Sequence, residues 1–359
     1  MRKSTLWSAV ALAAVCTLTG TTAQAAPAGI ARVSTDTGGG QLAGASSGAT
    51  VSADGRYAAF LSADPTGGYD TRLYVKDLRT GALSRVPEDL LYTTHAVISA
   101  NGRRVAYSDG NRYPKPYVYD RATGETQLLW PAQLPDDSLY ELGEAAAISA
   151  DGRHVAYTIG NRHGDEYARV LYVRDLATGT DERISPVPPT GMITGASLSA
   201  DGRTVAYGLL VRGDRGAAVQ IYSENRDTGG TRRVDTGDPA GLVRLSTDGR
   251  RILFDSTAQD GTTGAYIRDL RTGAVRRIAD TEAAAADGTL RHVLLTEDTG
   301  PVLLDRRTGA RRSAGPAGST ALPGAVTRNG RAVVLASTAE DLVPGDTNGV
   351  ADVFVVRPS

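Results

Sequence analysis

The sequence predicts an all-β protein, a seven-bladed β-propeller with four strands per blade, whose ring is closed by an N-terminal strand joining the C-terminal blade. Three observations lead there. A hairpin-turn signature recurs at the period of about 40 to 50 residues that marks propellers and solenoids. A second turn signature falls between the copies of the first. A strand is left over at the N-terminal end of the chain, where one is missing at the C-terminal end.

The first signature is Ser, a small residue, Asp or Asn, Gly and Arg. It runs from Ser52 to Arg56, Ser99 to Arg103, Ser149 to Arg153, Ser199 to Arg203 and Ser246 to Arg250, with shorter copies at Asp287-Gly288 and Asn329-Gly330. The glycines are 47, 50, 50, 47, 39 and 42 residues apart, so seven copies imply seven blades. Asp-Gly or Asn-Gly between apolar stretches marks a hairpin, because glycine takes positive φ without steric cost and the acid or amide bonds the local backbone. Alternating strands follow, as in Val105-Ala106-Tyr107, Val155-Ala156-Tyr157 and Val205-Ala206-Tyr207, with a small middle residue suited to close packing between sheets. A third strand rich in β-branched and aromatic residues comes next, such as Leu73-Tyr74-Val75 or Leu171-Tyr172-Val173.

The second signature ends that third strand with Asp, two residues, Thr and Gly. It stands at Asp77 to Gly81, Asp120 to Gly124, Asp175 to Gly179, Asp269 to Gly273 and Asp305 to Gly309, with Asn225 to Gly229 as a variant. The acid caps the turn, glycine supplies the left-handed residue, and a fourth strand returns. Four strands per repeat make a propeller blade. The seventh repeat stops after its third strand, near Asp352 to Val356, whereas Ile30 to Ser34 matches the fourth strands of other repeats. The two ends are therefore expected to clasp in blade seven. Blade six is the least regular, since Gly288 is followed by Thr289-Leu290-Arg291-His292, and a six-bladed ring with an insertion is the alternative.

These turns and strands resemble the TolB-like, or WD40-like, propeller repeat, which carries a Ser-Pro-Asp-Gly turn and a Leu-Tyr-Val strand. Here Ala or Thr holds the proline position, and the resemblance covers about the whole mature chain. It implies a protein-interaction role. The separate N-terminal α/β domain that precedes the propeller in TolB itself has no counterpart in the pattern.

At the N-terminus, Arg2 and Lys3 precede an apolar run from Leu6 to Val15 and small residues closing on Ala23-Gln24-Ala25. This reads as a signal peptide over 1–25, followed by a single propeller domain over 26–359, secreted and perhaps associated with the cell surface. No other apolar run has spanning length. Cys16, the only cysteine, lies in the leader, so neither a disulfide framework nor a Cys-ligated metal site is expected in the mature protein. Without the leader, 37 basic residues face 40 acidic ones, which gives no electrostatic reason to expect nucleic acid. A monomer is expected.

In an up-and-down blade the two tight turns share one face of the disc, and the longer connections lie on the other. Recognition is expected on that second face, in polar, aromatic-bearing loops. The candidate ligand-binding residues are Tyr69, Tyr92, Arg112, Tyr113, Tyr140, Arg162, His163, Asp165 and Tyr167. His95, His154, His163 and His292 fall at different places in their repeats, with His154 read as an exposed strand residue, so no histidine-based metal or acid–base site is expected. Asp346, Asn348 and Asp352 alternate around a glycine turn like part of a calcium loop, and calcium is the one cofactor weighed. No Gly-x-Ser-x-Gly elbow or phosphate loop is present. The leading expectation is a non-catalytic scaffold for a protein, peptide or glycan. The alternative is a propeller enzyme of the polysaccharide lyase or lactonase type, with a site at the channel mouth.

Overall fold

The Ser-x-Asp-Gly turn sets the pattern of each regular blade. In the computed structural model, which describes residues 29–66, 70–86, 92–132, 140–163, 166–184, 191–213 and 216–359, the serine Oγ of this turn accepts from the first amide of the next strand and donates to the turn carboxylate. In blade one, Tyr57 N–H donates to Ser52 Oγ at 2.9 Å, and Ser52 Oγ donates to Asp54 at 2.6 Å. Equivalent bonds form at Ser149, Ser199 and Ser246. The hairpin is thus closed by side chains as well as backbone.

Blade one consists of Ser46–Val51, Tyr57–Ala63, Thr71–Asp77 and Leu83–Val86, antiparallel and in chain order, and the next five sheets repeat that order. The seventh contains Val333–Ser337, Asp352–Val356 and Ile30–Arg32. Ile30 pairs with Val356 and Arg32 with Phe354, which is the expected clasp. Its innermost segment pairs through the bridges Thr320–Ala336 and Val326–Val333. Backbone bonds link neighbouring turns, Ala53 N–H to Ala100 O and Thr247 N–H to Gly288 O, and Arg328 N–H to Ala53 O joins blade seven back to blade one. The structure is therefore a closed ring of seven blades, and the six-bladed alternative does not hold.

The core lies between blades. Tyr107 packs with Ala59, Leu61 and Leu73 of the preceding blade, while Ala106 packs with Leu129, Ala145 and Tyr157 toward the following one. The fourth residue of the second strand, Phe60 in blade one, stacks on an aromatic ring of the third strand in five blades, with centroids 5.5 to 5.8 Å apart.

Blade six departs from the expected register. Asp287 takes the place of serine: its Oδ1 accepts from Thr289 and Arg291 amides, and its Oδ2 lies 2.7 Å from His292 Nδ1. The left-handed residue is then Leu290, at φ 57°, and not Gly288. Leu290 is completely buried among Val293, Leu295 and Leu304, so apolar burial offsets the strain of the turn.

Candidate functional site: the channel mouth

Each innermost strand runs toward the turn face, so its early residues surround the channel mouth on the opposite, loop face. Six innermost strands carry a register shift, five residues before the turn in blades two and four, as between Thr93 and His95, and three before it in blades three, five and six, as between Leu242 and Arg244. Counting back five residues from each turn serine or its replacement gives Ser47, Thr94, Glu144, Thr194, Gly241 and Glu282. Two positions on, small side chains recur, with Ala49 and Ala96 buried in the core between blades and Ala146, Ala196 and Ala284 partly exposed.

Charged groups converge on this mouth from several blades. Glu144 accepts from Arg169 Nη1 at 2.5 Å and Nη2 at 3.2 Å. His95 faces the same carboxylate, and burial pushes its imidazole below the ordinary value while Glu144 pulls it back. Asp109 accepts from Tyr92 N–H at 3.0 Å and Thr93 Oγ1 at 3.2 Å, and burial raises its pKa. Across the ring, Asp255 accepts from Ala283 N–H at 2.9 Å. Burial, helped by Glu282, pushes its carboxyl up to about 7. Farther along its strand, two residues before the turn and so away from the mouth, Arg244 of blade five donates from Nη1 to Ala286 O at 2.8 Å and Pro323 O at 3.0 Å.

Of the residues singled out from sequence, Tyr92, Arg112 and Tyr113 meet at the loop end of blade two. Gly110 N–H donates to Tyr92 O, and the Arg112 guanidinium sits 5.5 Å from the exposed Tyr113 ring. Lys115 adds a second cation–aromatic pair with Trp130 at 3.8 Å. Tyr140 begins the innermost strand of blade three, opposite Asn161. Arg162 and His163 pair through their backbones with Tyr167 and Glu166, so this segment, expected as a long loop, is a strand hairpin. The same holds for Arg212 and Gly213, paired with Ala217 and Gly216. Tyr69 and Asp165 lie outside the described residues, as does the leader.

Of the three calcium candidates, Asp346 and Asp352 share the Arg32 guanidinium in the clasp. Arg32 lies 3.2 Å from both Asp346 and Asp352, Gln41 Nε2 donates to both, and Ser34 Oγ donates to Asp352. Asn348 Nδ2 donates to Leu42 O. His154, expected to be exposed, is covered by the Gly202 turn of the next blade. His292 is held by Asp287.

The turn face treats charge differently. There the arginine of the first signature pairs with the aspartate of the second, as in Arg56–Asp77, Arg103–Asp120, Arg153–Asp175 and Arg291–Asp305. A cleft of about 420 Å³ opens between blades three and four on this face, but Arg226 in it is held by Glu182 and the Gly202 carbonyl, and Arg153 by Asp175. Arg203, the remaining cation of the cleft, is exposed and lies 3.8 Å from Asp201 and 3.7 Å from Asp227.

No family model and no curated protein matches the chain. Among solved structures, an oligogalacturonate lyase in complex with manganese superposes with a TM-score of 0.68 at 14% identity, over 94% of this chain and 96% of that one. An oligogalacturonate lyase from Vibrio parahaemolyticus gives 0.63 at 14%, over 94% of each chain. The propeller domain of the Trilobed protease from Pyrococcus furiosus gives 0.59 at 14%, over 87% and 95%. Identities this low show a shared fold. Among the described residues no three His, Cys, Asp or Glu side chains gather into a group able to hold a metal ion. The described side chains therefore do not supply a donor set for manganese, and His95 is the one histidine they place at the mouth.

Proposed function

We propose that this chain is an exported binding protein that holds a protein, peptide or glycan ligand over the channel mouth. The observation that supports this is the loop end of blades two and three, where cation–aromatic pairs at Arg112–Tyr113 and Lys115–Trp130 stand beside charged groups fixed on innermost strands. Aromatic bodies with polar partners on a rigid frame suit sugars and peptide side chains alike.

A propeller lyase is the second reading. It draws on His95, whose lowered pKa keeps the imidazole neutral and able to accept a proton at neutral pH. The two separate in one pair of assays. The purified protein is screened on glycan and peptide arrays, alone and as Tyr113→Ala, and is incubated with oligogalacturonate and manganese while unsaturated product is followed by absorbance. Retention of an array ligand that Tyr113→Ala weakens, with no unsaturated product, is the expected result. Product formation abolished by His95→Ala would replace binding with catalysis.

A further inference from the structure

Arg244 is the cation in the throat that the fold does not neutralise. At its position, two residues before the turn, the other innermost strands hold Thr50, Val97, Ala147, Ser197, Ala285 and Ala325. Thr50 and Ser197 use that position to bond the next blade's backbone, Ile98 N–H to Thr50 and Leu245 N–H to Ser197. An arginine is far more than this bridging needs. Its Nη1 makes both carbonyl contacts, and among the described residues no carboxylate lies within ion-pair reach of the guanidinium. Asp287, the acid whose field it feels, is already held by His292.

Arg244 is partly buried, and holding a guanidinium partly out of water without a counter-charge is costly. The cost is recovered when an anion arrives, and the geometry indicates which kind. With Nη1 bound to protein, Nε and Nη2 remain, the edge whose two parallel N–H bonds match the two oxygens of a carboxylate. Glu282 near the mouth disfavours a doubly charged phosphate more than a singly charged carboxylate, while Glu144 is neutralised by Arg169.

We infer that Arg244 is the anchor for a carboxylate group that enters the channel from the loop face. This deepens the binding reading by naming the chemistry of the ligand's inserted end, and it rests on that reading.

Calorimetric titration of the whole protein tests it with four probes: trialanine, trialanine amide, galacturonic acid and galactose. At least one of the two carboxylates binds, its neutral counterpart does not, and Arg244→Gln weakens binding about tenfold or more. Which acid binds tells whether a peptide end or a sugar acid presents the group. Arg244→Gln keeps a donor for the carbonyl contacts, and circular dichroism checks its fold. Should that variant fail to fold, competition of the bound acid by acetate on the wild type decides instead, and absence of competition overturns the proposal. Failure of both acids to bind, equal binding by the neutral probes, or equal binding by Arg244→Gln overturns it too. Array ligands still retained at Tyr113 would then leave the mouth reading standing without its anchor.

Discussion

Asp255 shows how a single side chain ties the mouth to stability. Its carboxyl sits up to about 7 against an ordinary 3.8, so the folded chain keeps a proton that the unfolded chain has lost. Stability therefore falls as pH rises from about 4 through about 7, because the unfolded state binds fewer protons over that window. Asp255→Asn keeps the acceptor for Ala283 N–H and removes the titration. Its Tm advantage over wild type should be small at pH 4 and largest near pH 8, and an advantage independent of pH would refute the assignment. In the clasp, Arg32→Met leaves Asp346 and Asp352 buried without their cation, a loss of about 3–5 kcal/mol by denaturant unfolding. Because Arg32 already pairs with both carboxylates, calcium or chelator should leave the wild-type Tm unmoved. A rise of several degrees with calcium would show that the ion displaces the guanidinium. Residues of this kind were only half legible in the sequence. Asp346, Asn348 and Asp352 stood out as oxygen donors, but their partner Arg32 lies more than 300 residues away, and spacing carries no trace of it. Arg244 differs from its repeat-mates by an alignment anyone could make, yet nothing in the chain says that its position faces the channel.

The turns are the elements on which local reading worked best, since Ser, Asp and Gly each have a local physical task. Even there, the glycine does more than the turn demands. Gly202 has φ +70°, and a Cβ on it would meet His154 at 2.4 to 2.8 Å, whereas Gly179 has φ +73° with nothing within 4 Å. Gly202→Ala should thus cost the left-handed strain of about 1–2 kcal/mol plus a clash between blades, and Gly179→Ala the strain alone. Equal losses in urea unfolding would show that the inter-blade contact carries no weight. Blade six marks where the motif failed: Asp287-Gly288 looks like the hairpin pair, but Asp287 replaces the serine and Leu290 turns the chain. A buried leucine at positive φ is a tertiary compromise, and propensity alone could not reveal it. The hairpins of blades three and four were likewise taken for loops, because Gly213 and the polar residues around His163 read as breakers although the strands continue through them.

At the scale of the molecule, the period of the repeat was enough to count blades, and the missing fourth strand was enough to predict how the ring shuts. The loop-face chemistry was less accessible, because it is assembled from His95, Asp109, Glu144, Arg169 and Asp255, one or two from each of three blades. Closure has its own consequence. Ile30–Arg32 covers the outer edge of Asp352–Val356, and Lys76 of blade one reaches back to the Thr35 and Asp36 carbonyls at 2.8 Å each. The N-terminal segment thus bridges the last blade and the first. Removing residues through 36 would strip a strand from blade seven, expose the backbone of Asp352–Val356 as a free edge and leave Lys76 without acceptors. An exposed edge of Val353, Phe354, Val355 and Val356 invites pairing between chains. The truncated protein should unfold at a lower urea concentration and elute from a sizing column as dimers or larger species. A monomeric truncation of unchanged stability would mean that the bonds between turns, with Arg328 to Ala53 joining last blade to first, hold the ring without the clasp.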